Sequence, residues 1–316
     1  MLTIFGIPKA FEGHFEVIQR NAIQSWTRLS PRCQILLFGD EKGTGQVAAE
    51  FGIQHIPTVE RNEFGTPLLN SIFGRAEKEA TQPTLCFVNS DIILMSDFLP
   101  AVQRVLAERD RFLLIGQRCT LDVRKPLSFE DGWDVKLRNR AIAEGHLDNN
   151  TAIDYFVFRP GIWGKVPPFA IGRPSYDNWL VYQANHREGV AVIDLTETVT
   201  VVHQDHSRAH PLGVEGFRQG PEGQRNLELA GGYTRGHTIW DAKFKLTGDR
   251  LRRRRSVYSL YRQFVDLVDR HPSLQPALDL VRFSIRHSVR LTDQTQRRVP
   301  ASAAQQLTEN EQRSTS

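Results

Sequence analysis

The chain has 316 residues, 40% of them hydrophobic and 24% charged, with a formal net charge of +4. That is an ordinary globular composition able to build a sizeable core, and no stretch approaches the roughly 18 uninterrupted apolar residues of a membrane span. The charge is unevenly placed: 13 of the 40 Lys and Arg but only 7 of the 36 Asp and Glu follow residue 248, so the basic character belongs to the tail.

In chain order, the apolar run 2–7 predicts a first strand. His14 to Leu29 carries Phe15, Ile18, Ala22, Ile23 and Trp26 at helical spacing. Strand and helix repeat at 34–39 and at about Gln46 to Phe51, and a strand follows near Gln54 to Val59. Pro67 to Ala80 predicts a longer helix, with Leu68, Leu69, Ile72, Phe73 and Ala76 on its inner face. The run 85–94 reads as the next strand, Asp97 to Ala107 as a helix and Phe112 to Gly116 as a strand. Residues 118–150 are polar and irregular, an insertion expected on the acceptor side. Strands at Ala152 to Phe158, Val190 to Asp194 and Val199 to His203, with a helix at Tyr176 to Asn185, complete the core. This alternation predicts an α/β fold: a doubly wound, mostly parallel sheet of Rossmann-like type, with ligands at the carboxyl ends of its strands.

Gly- and Pro-rich residues 207–248 predict a long loop region. Two amphipathic helices then follow, one with Val257, Leu260, Tyr261, Phe264 and Val268 on a face, the other with Leu278, Val281 and Ile285. The domains expected are a main domain at 1–248, a basic helical C-terminal extension at 249–292 and a disordered tail at 293–316. Cys33, Cys86 and Cys119 lie in apolar segments without C-x-x-C spacing and read as buried thiols of a reducing compartment.

The most informative segment is LCFVNSDIIL, residues 85–94, an apolar run interrupted by Asn89, Ser90 and Asp91. If the chain is extended there, Asn89 and Asp91 share a face and suit a hard divalent cation that bridges phosphates. Following two strand–helix units, this arrangement resembles the GT-A glycosyltransferase superfamily over roughly residues 1 to 205, with Asn89-Ser90-Asp91 as a degenerate D-x-D. Asn89 stands where the first Asp is usual. A strand end capping the next helix is the plainer account of the same triplet.

The resemblance implies a metal-dependent transferase that moves a sugar from a nucleoside diphosphate sugar to a glycan or other hydroxyl acceptor. Asp91 and His203 would be the metal ligands for Mn2+ or Mg2+, with His206 a competing match for the histidine. Phe5, Gly6, Ile7, Asp40, Asn70, Arg75, Asn89 and Ser90 would contact the donor. Arg75 has a plainer use as the i+4 partner of Glu79, and Phe5 to Ile7 as core and turn. Asp177, at a helix start, and Asp154, in a buried strand, are the candidate catalytic acids. Asp177 would be the general base, and Asp154 would meet either donor hydroxyls or a structural arginine. Trp133, Trp163 and Trp240 offer rings for sugar stacking or for packing.

Two other readings remain open: a sugar nucleotidyltransferase, and a non-catalytic sugar-nucleotide or membrane-surface module centred on Arg252 to Arg255. The acidic core carries no nucleic-acid recognition motif, so nucleic acid is not an expected partner. The amino terminus has neither a basic leader nor a cleavage site, which predicts a cytoplasmic protein; the basic tail has two uses open to it, peripheral contact with a membrane's inner face or, more plainly, a helix packed on the core with its arginines in solvent.

Overall fold

The computed structural model describes residues 2–206 and 219–280. The chain opens with β1 (Leu2–Gly6), α1 (Gly13–Thr27), β2 (Gln34–Phe38), α2 (Thr44–Phe51) and β3 (Gln54–Ile56). α3 (Leu69–Glu79), β4 (Thr84–Val88), β5 (Ile92–Ile93), α4 (Phe98–Leu106) and β6 (Phe112–Ile115) follow. Next come β7 (Arg118–Leu121), α5 (Trp133–Glu144), β8 (His146–Leu147), β9 (Tyr155–Phe158), α6 (Tyr176–Asn185), β10 (Ala191–Asp194) and β11 (Val201–Gln204). The last elements are α7 (Pro221–Ala230), β12 (Phe244–Thr247), β13 (Arg250–Arg253) and α8 (Val257–Arg270).

Nine strands form one sheet in the order β13-β12-β10-β6-β9-β4-β1-β2-β3. β1 is parallel to β2 and β4, β2 to β3, and β10 to β6 and β12, while β9 runs antiparallel between β4 and β6. The two faces follow from the period of two along each strand. Leu2, Ile4, Cys86, Val88, Phe112 and Leu114 turn to the face covered by α1, α2 and α4. Phe5, Leu85, Phe87, Leu113 and Ile115 turn to the face covered by α3 and α6. Both faces are buried, which is why these strands read as continuous apolar runs. The expected mostly parallel, doubly wound sheet is the observed one.

Three expectations are corrected. The run 85–94 is two strands rather than one: β4 stops at Val88, and residues 89–91 turn so that the Ile92 N–H donates to the Asn89 carbonyl at 3.0 Å. Residues 118–150 are not irregular but supply β7, α5 and β8, which join β5 and β11 in a second sheet ordered β5-β11-β7-β8. Their polarity hid them, because β7 buries Arg118 and α5 buries only Leu137 and Ala141. Of the loop expected at 207–248, residues 207–218 lie outside the described residues, and the remainder contains α7 and β12.

The boundary expected at 248/249 falls in the turn of the β12–β13 hairpin, where Gly248 adopts φ +57°. The arginine run is therefore partly an edge strand of the main sheet, and the Arg254 guanidinium turns inward to the buried Asp194 carboxylate. α8 docks on the core: Arg262 Nε lies 2.8 Å from Asp241 Oδ1, and the Tyr258 hydroxyl donates to Asp241 Oδ2 at 3.2 Å. Val265 and Val268 of α8 pack with Leu278. Val281 and Ile285 of the second expected helix, and the tail at 293–316, lie outside the described residues.

Candidate metal and catalytic site

The turn after β4 carries Asp91 to the carboxyl edge of the main sheet, where β11 of the second sheet passes. Pairing of His203 with Ile92 in the antiparallel β5–β11 ladder brings that histidine beside Asp91. His203 Nε2 lies 3.6 Å and His206 Nε2 3.0 Å from Asp91 Oδ2. One ligand atom from each residue can be chosen so that all three lie within 4.8 Å of one another. His203 is 7% exposed and His206 13%. Burial pushes the Asp91 carboxyl up, but the His203 and His206 imidazoles beside it outweigh that and hold Asp91 well below the usual carboxylate range.

Among the described residues Asp91 Oδ1 and His206 Nδ1 are buried without a hydrogen-bond partner. A buried carboxylate oxygen left unpaired is costly, and one carboxylate with two imidazoles is a donor set that can hold a divalent cation. The residues present fit a cation. The choice between His203 and His206 therefore dissolves, since the cluster contains both.

Asn89 is held by a different partner: its Nδ2 donates to Asp154 Oδ1 at 2.6 Å. The other Asp154 oxygen accepts from Arg118 Nη1 at 2.6 Å, and Arg118 Nε donates to Asp148 Oδ2 at 2.5 Å. Of the two partners open to Asp154, the structure gives the arginine. Arg118, Asp148 and Thr120 were not selected from the sequence, and a lone Arg in a short run of mixed polarity gave little cause to select them.

Asp177 stands in the first turn of α6 and accepts from the Asn178 N–H at 2.9 Å. Burial raises its carboxyl to about 7; the Asn178 N–H opposes the rise and the Asp154 charge adds to it. Among the described residues the preceding Ser175 is the only non-glycine with left-handed backbone, at φ +85°, a strained conformation of the kind that concentrates at functional sites. Ser175 and Asn178 line a cleft of about 160 Å3 with Thr151, Tyr233 and Thr238. A larger cleft of about 330 Å3 contains Trp133 but none of the candidate acids or histidines.

The donor-side candidates divide. Phe5 is fully buried, with Phe38, Phe73, Phe87 and Phe158 around it, so it is core and not the wall of a base pocket. Gly6 is required by packing, because a Cβ there would sit 2.7 Å from the Val88 carbonyl oxygen. Arg75 pairs with Glu79 at 2.8 Å. The Glu79 carbonyl in turn accepts from Gln34 at the start of β2, which places this pair toward the opposite sheet edge. Arg75 is corrected to a solvated helix-face residue.

Ile7 is half-buried at the end of β1, and Asp40 follows β2, ion-paired to Arg61 at 2.6 Å. Asn70 lies in the first turn of α3 with a buried, unpartnered Oδ1, and the buried Ser90 Oγ is unpartnered too. Trp163 is core, its indole N–H donating to the Leu180 carbonyl at 2.7 Å. Trp240 is 43% exposed and meets the Tyr258 ring edge-on. The three cysteines are free and buried, and desolvation pushes Cys33 and Cys119 up to about 11.

No protein-family model and no curated protein matches the chain. Among solved structures it is similar to S. aureus TarS 1-349, at 12% identity and a TM-score of 0.43 over 64% of this chain and 60% of that one. It therefore spans about 60% of the TarS chain. It is also similar to glucosyl-3-phosphoglycerate synthase from Mycobacterium tuberculosis, solved with Mn2+, uridine-diphosphate and phosphoglyceric acid. There the identity is 16% and the TM-score 0.44, over 73% of this chain and 79% of that one. A third is the mannosyltransferase PcManGT from Pyrobaculum calidifontis, in complex with GDP-Man and Mn2+, at 12% identity and a TM-score of 0.43 over 66% and 58%.

The Arg118 bridge yields a direct test. Arg118→Leu leaves Asp154 and Asp148 without their buried counter-charge and should destabilise the chain by about 3–5 kcal/mol. Urea unfolding measures this. A loss below about 1 kcal/mol would show that the bridge does not hold these loops.

Proposed function

We propose that this chain is a GT-A type glycosyltransferase that moves a sugar from a nucleoside diphosphate donor to a hydroxyl acceptor, with a divalent cation, Mn2+ or Mg2+, at Asp91, His203 and His206. The observation that carries the reading is the convergence of these three side chains at the carboxyl edge of a mostly parallel sheet, with buried lone pairs unsatisfied. When bound, the ion supplies charge that neutralises a departing diphosphate. Ile7, the Gly6 backbone, Asp40 and Asn70 border the strand ends where the nucleoside would lie, and Ser90 stands between Asn89 and Asp91 on the diphosphate side.

Asp177 is the base of an inverting reaction. Its carboxylate takes the proton of the acceptor hydroxyl as that oxygen bonds to the anomeric carbon, and the bond from that carbon to the diphosphate oxygen breaks with its electron pair. The cleft beside Ser175 and Asn178 holds the acceptor, and the exposed Tyr233 provides a ring face for a sugar. Domain roles follow the same division: donor on β1 to β5, acceptor around α6 and α7.

Calorimetry with a panel of nucleotide sugars and MnCl2 tests the donor and metal reading. Wild-type protein should bind one donor in a manganese-dependent way, and Asp91→Ala should lose at least tenfold in affinity while melting as a folded protein. Equal affinity in the variant removes the metal from the site. A donor that binds but is never transferred or hydrolysed would favour a non-catalytic binder.

Asp177→Asn should lower kcat by about 10^2 to 10^4 with little change in donor affinity. In the wild type kcat/KM should rise with pH through about 7, because the base must be ionised. Linkage gives an independent readout. The folded chain holds the Asp177 proton to about pH 7, whereas the ordinary carboxyl value is 3.8. The native state thus binds more protons across that window, and this group's contribution to stability falls as pH rises through it. The Asn variant should lose less stability than wild type between pH 4 and 7.5; near-normal turnover would return Asp177 to a helix-start acid.

We also propose peripheral attachment to an anionic membrane. No helix among the described residues is long and apolar enough to cross one. Arg250, Arg252, Arg253 and Arg255 are exposed beside Val257 and Leu260, which are 81% and 66% exposed. Each basic residue near lipid contributes about 1 kcal/mol. Wild-type protein should co-sediment with anionic but not neutral liposomes, and Arg252→Glu with Arg253→Glu should abolish it. Equal, negligible sedimentation of both proteins leaves β13 and α8 as a structural brace.

A further inference from the structure

The way His203 is held determines which of its nitrogens is free. Thr120 and His203 are register partners in the parallel β7–β11 ladder, so their side chains lie next to each other on one face. The Thr120 hydroxyl donates its one hydrogen to Asp148 Oδ2 at 2.7 Å, and the Asp148 carboxylate, ion-paired to Arg118, is an acceptor only. Thr120 Oγ1 is also 3.1 Å from His203 Nδ1. With the hydroxyl hydrogen committed, that second contact needs the hydrogen on Nδ1. A neutral imidazole protonated at Nδ1 carries its lone pair on Nε2, the nitrogen 3.6 Å from Asp91 Oδ2.

We infer that Thr120 and Asp148 are positioning residues that fix His203 as the Nδ1–H tautomer and aim the Nε2 lone pair at the space beside Asp91, making the cluster ready for a cation before one arrives. Without a cation, a lone pair and a carboxylate oxygen face each other in a buried site, an arrangement with no hydrogen bond to hold it. With the hydroxyl absent, Nδ1–H loses its hydrogen-bond acceptor, and an Nε2–H donating to Asp91 gains in its place. That state closes the site. The inference rests on the metal reading above for its consequence, but the tautomer itself does not depend on any ion.

Two measurements separate the two ideas. Long-range 1H–15N correlation on the 15N-labelled, metal-free full chain at pH 8 reads the His203 tautomer, with His203→Gln assigning the signal; Nδ1–H is expected in the wild type. Calorimetric titration with Mn2+ alone, without nucleotide, should give an affinity about 10- to 100-fold weaker for Thr120→Val and near wild type for Thr120→Ser, which restores the hydroxyl. A merely structural role for Thr120 would lower the melting temperature of the Val variant without moving the tautomer. Wild-type His203 found as Nε2–H or as imidazolium overturns the inference, whether or not the Val variant folds. So does a Val variant that binds Mn2+ as tightly as wild type. A wild type that shows the Nδ1–H tautomer but takes no Mn2+ upholds the relay and overturns the metal reading instead.

Discussion

Arg118 is 8% exposed and must keep its charge, so the chain around it is arranged to supply two carboxylates. Asp148 comes from the end of β8 and Asp154 from the start of β9, which ties the second sheet to the main one across the carboxyl edge. Removing a guanidinium and two carboxylates from water costs several kcal/mol per ion, and the interaction returns that only when geometry and further hydrogen bonds are good. Here they are supplied by Asn89 on Asp154 and by Thr120 on Asp148. The same bonds position the site. Asn89 fixes the turn that presents Asp91, Thr120 meets His203, and the Asp154 charge helps to raise Asp177. One buried ionic junction thus bears on Asp91, His203 and Asp177 together.

How much of this the sequence disclosed depends on which force shaped each segment. β1, β2, β4, β6 and the helices between them are shaped by burial of apolar side chains on both faces of a sheet, and such burial leaves a period of 2 or 3.6 in the sequence. Their order and placement were legible, although the run 85–94 hid the break after Val88. α6 was legible for the same reason, and with it the placement of Asp177. β7 is shaped by an ion pair whose other members lie 30 and 36 residues away, so the run RCTL shows neither alternation nor a partner. α5 buries too little to leave a stripe.

The site divides along the same line. Asp91 and His203 were legible because each stands where an apolar strand meets a polar residue, an abrupt change visible in one dimension. Phe5 stands near a strand end too, but four aromatic neighbours claim it for the core. Arg75 has the right chemistry on the wrong half of its helix. His206 lies past the end of β11, where no alternation applies, and only the turn of the chain brings it back to Asp91 at 3.0 Å. Asp154 was visible as a buried acid in need of a partner, but spacing alone could not choose between an arginine and a ligand.

The departure from D-x-D at residue 89 has a physical reason in the same junction. Asn89 Nδ2 donates to Asp154 Oδ1 at 2.6 Å. An aspartate at 89 would place a second carboxylate oxygen against the first, with no hydrogen between them unless one of the pair took up a proton. Arg118 already divides its charge between Asp148 and Asp154, so a third carboxylate would leave the junction with excess negative charge in a poorly solvated place. The neutral amide avoids this by donating instead of repelling. On the metal reading proposed above, two imidazoles, His203 and His206, would complete a donor set with Asp91 from the other side of the cleft. Such a set would be less negative than a pair of carboxylates, and so less suited to Mg2+ than to ions that accept nitrogen ligands.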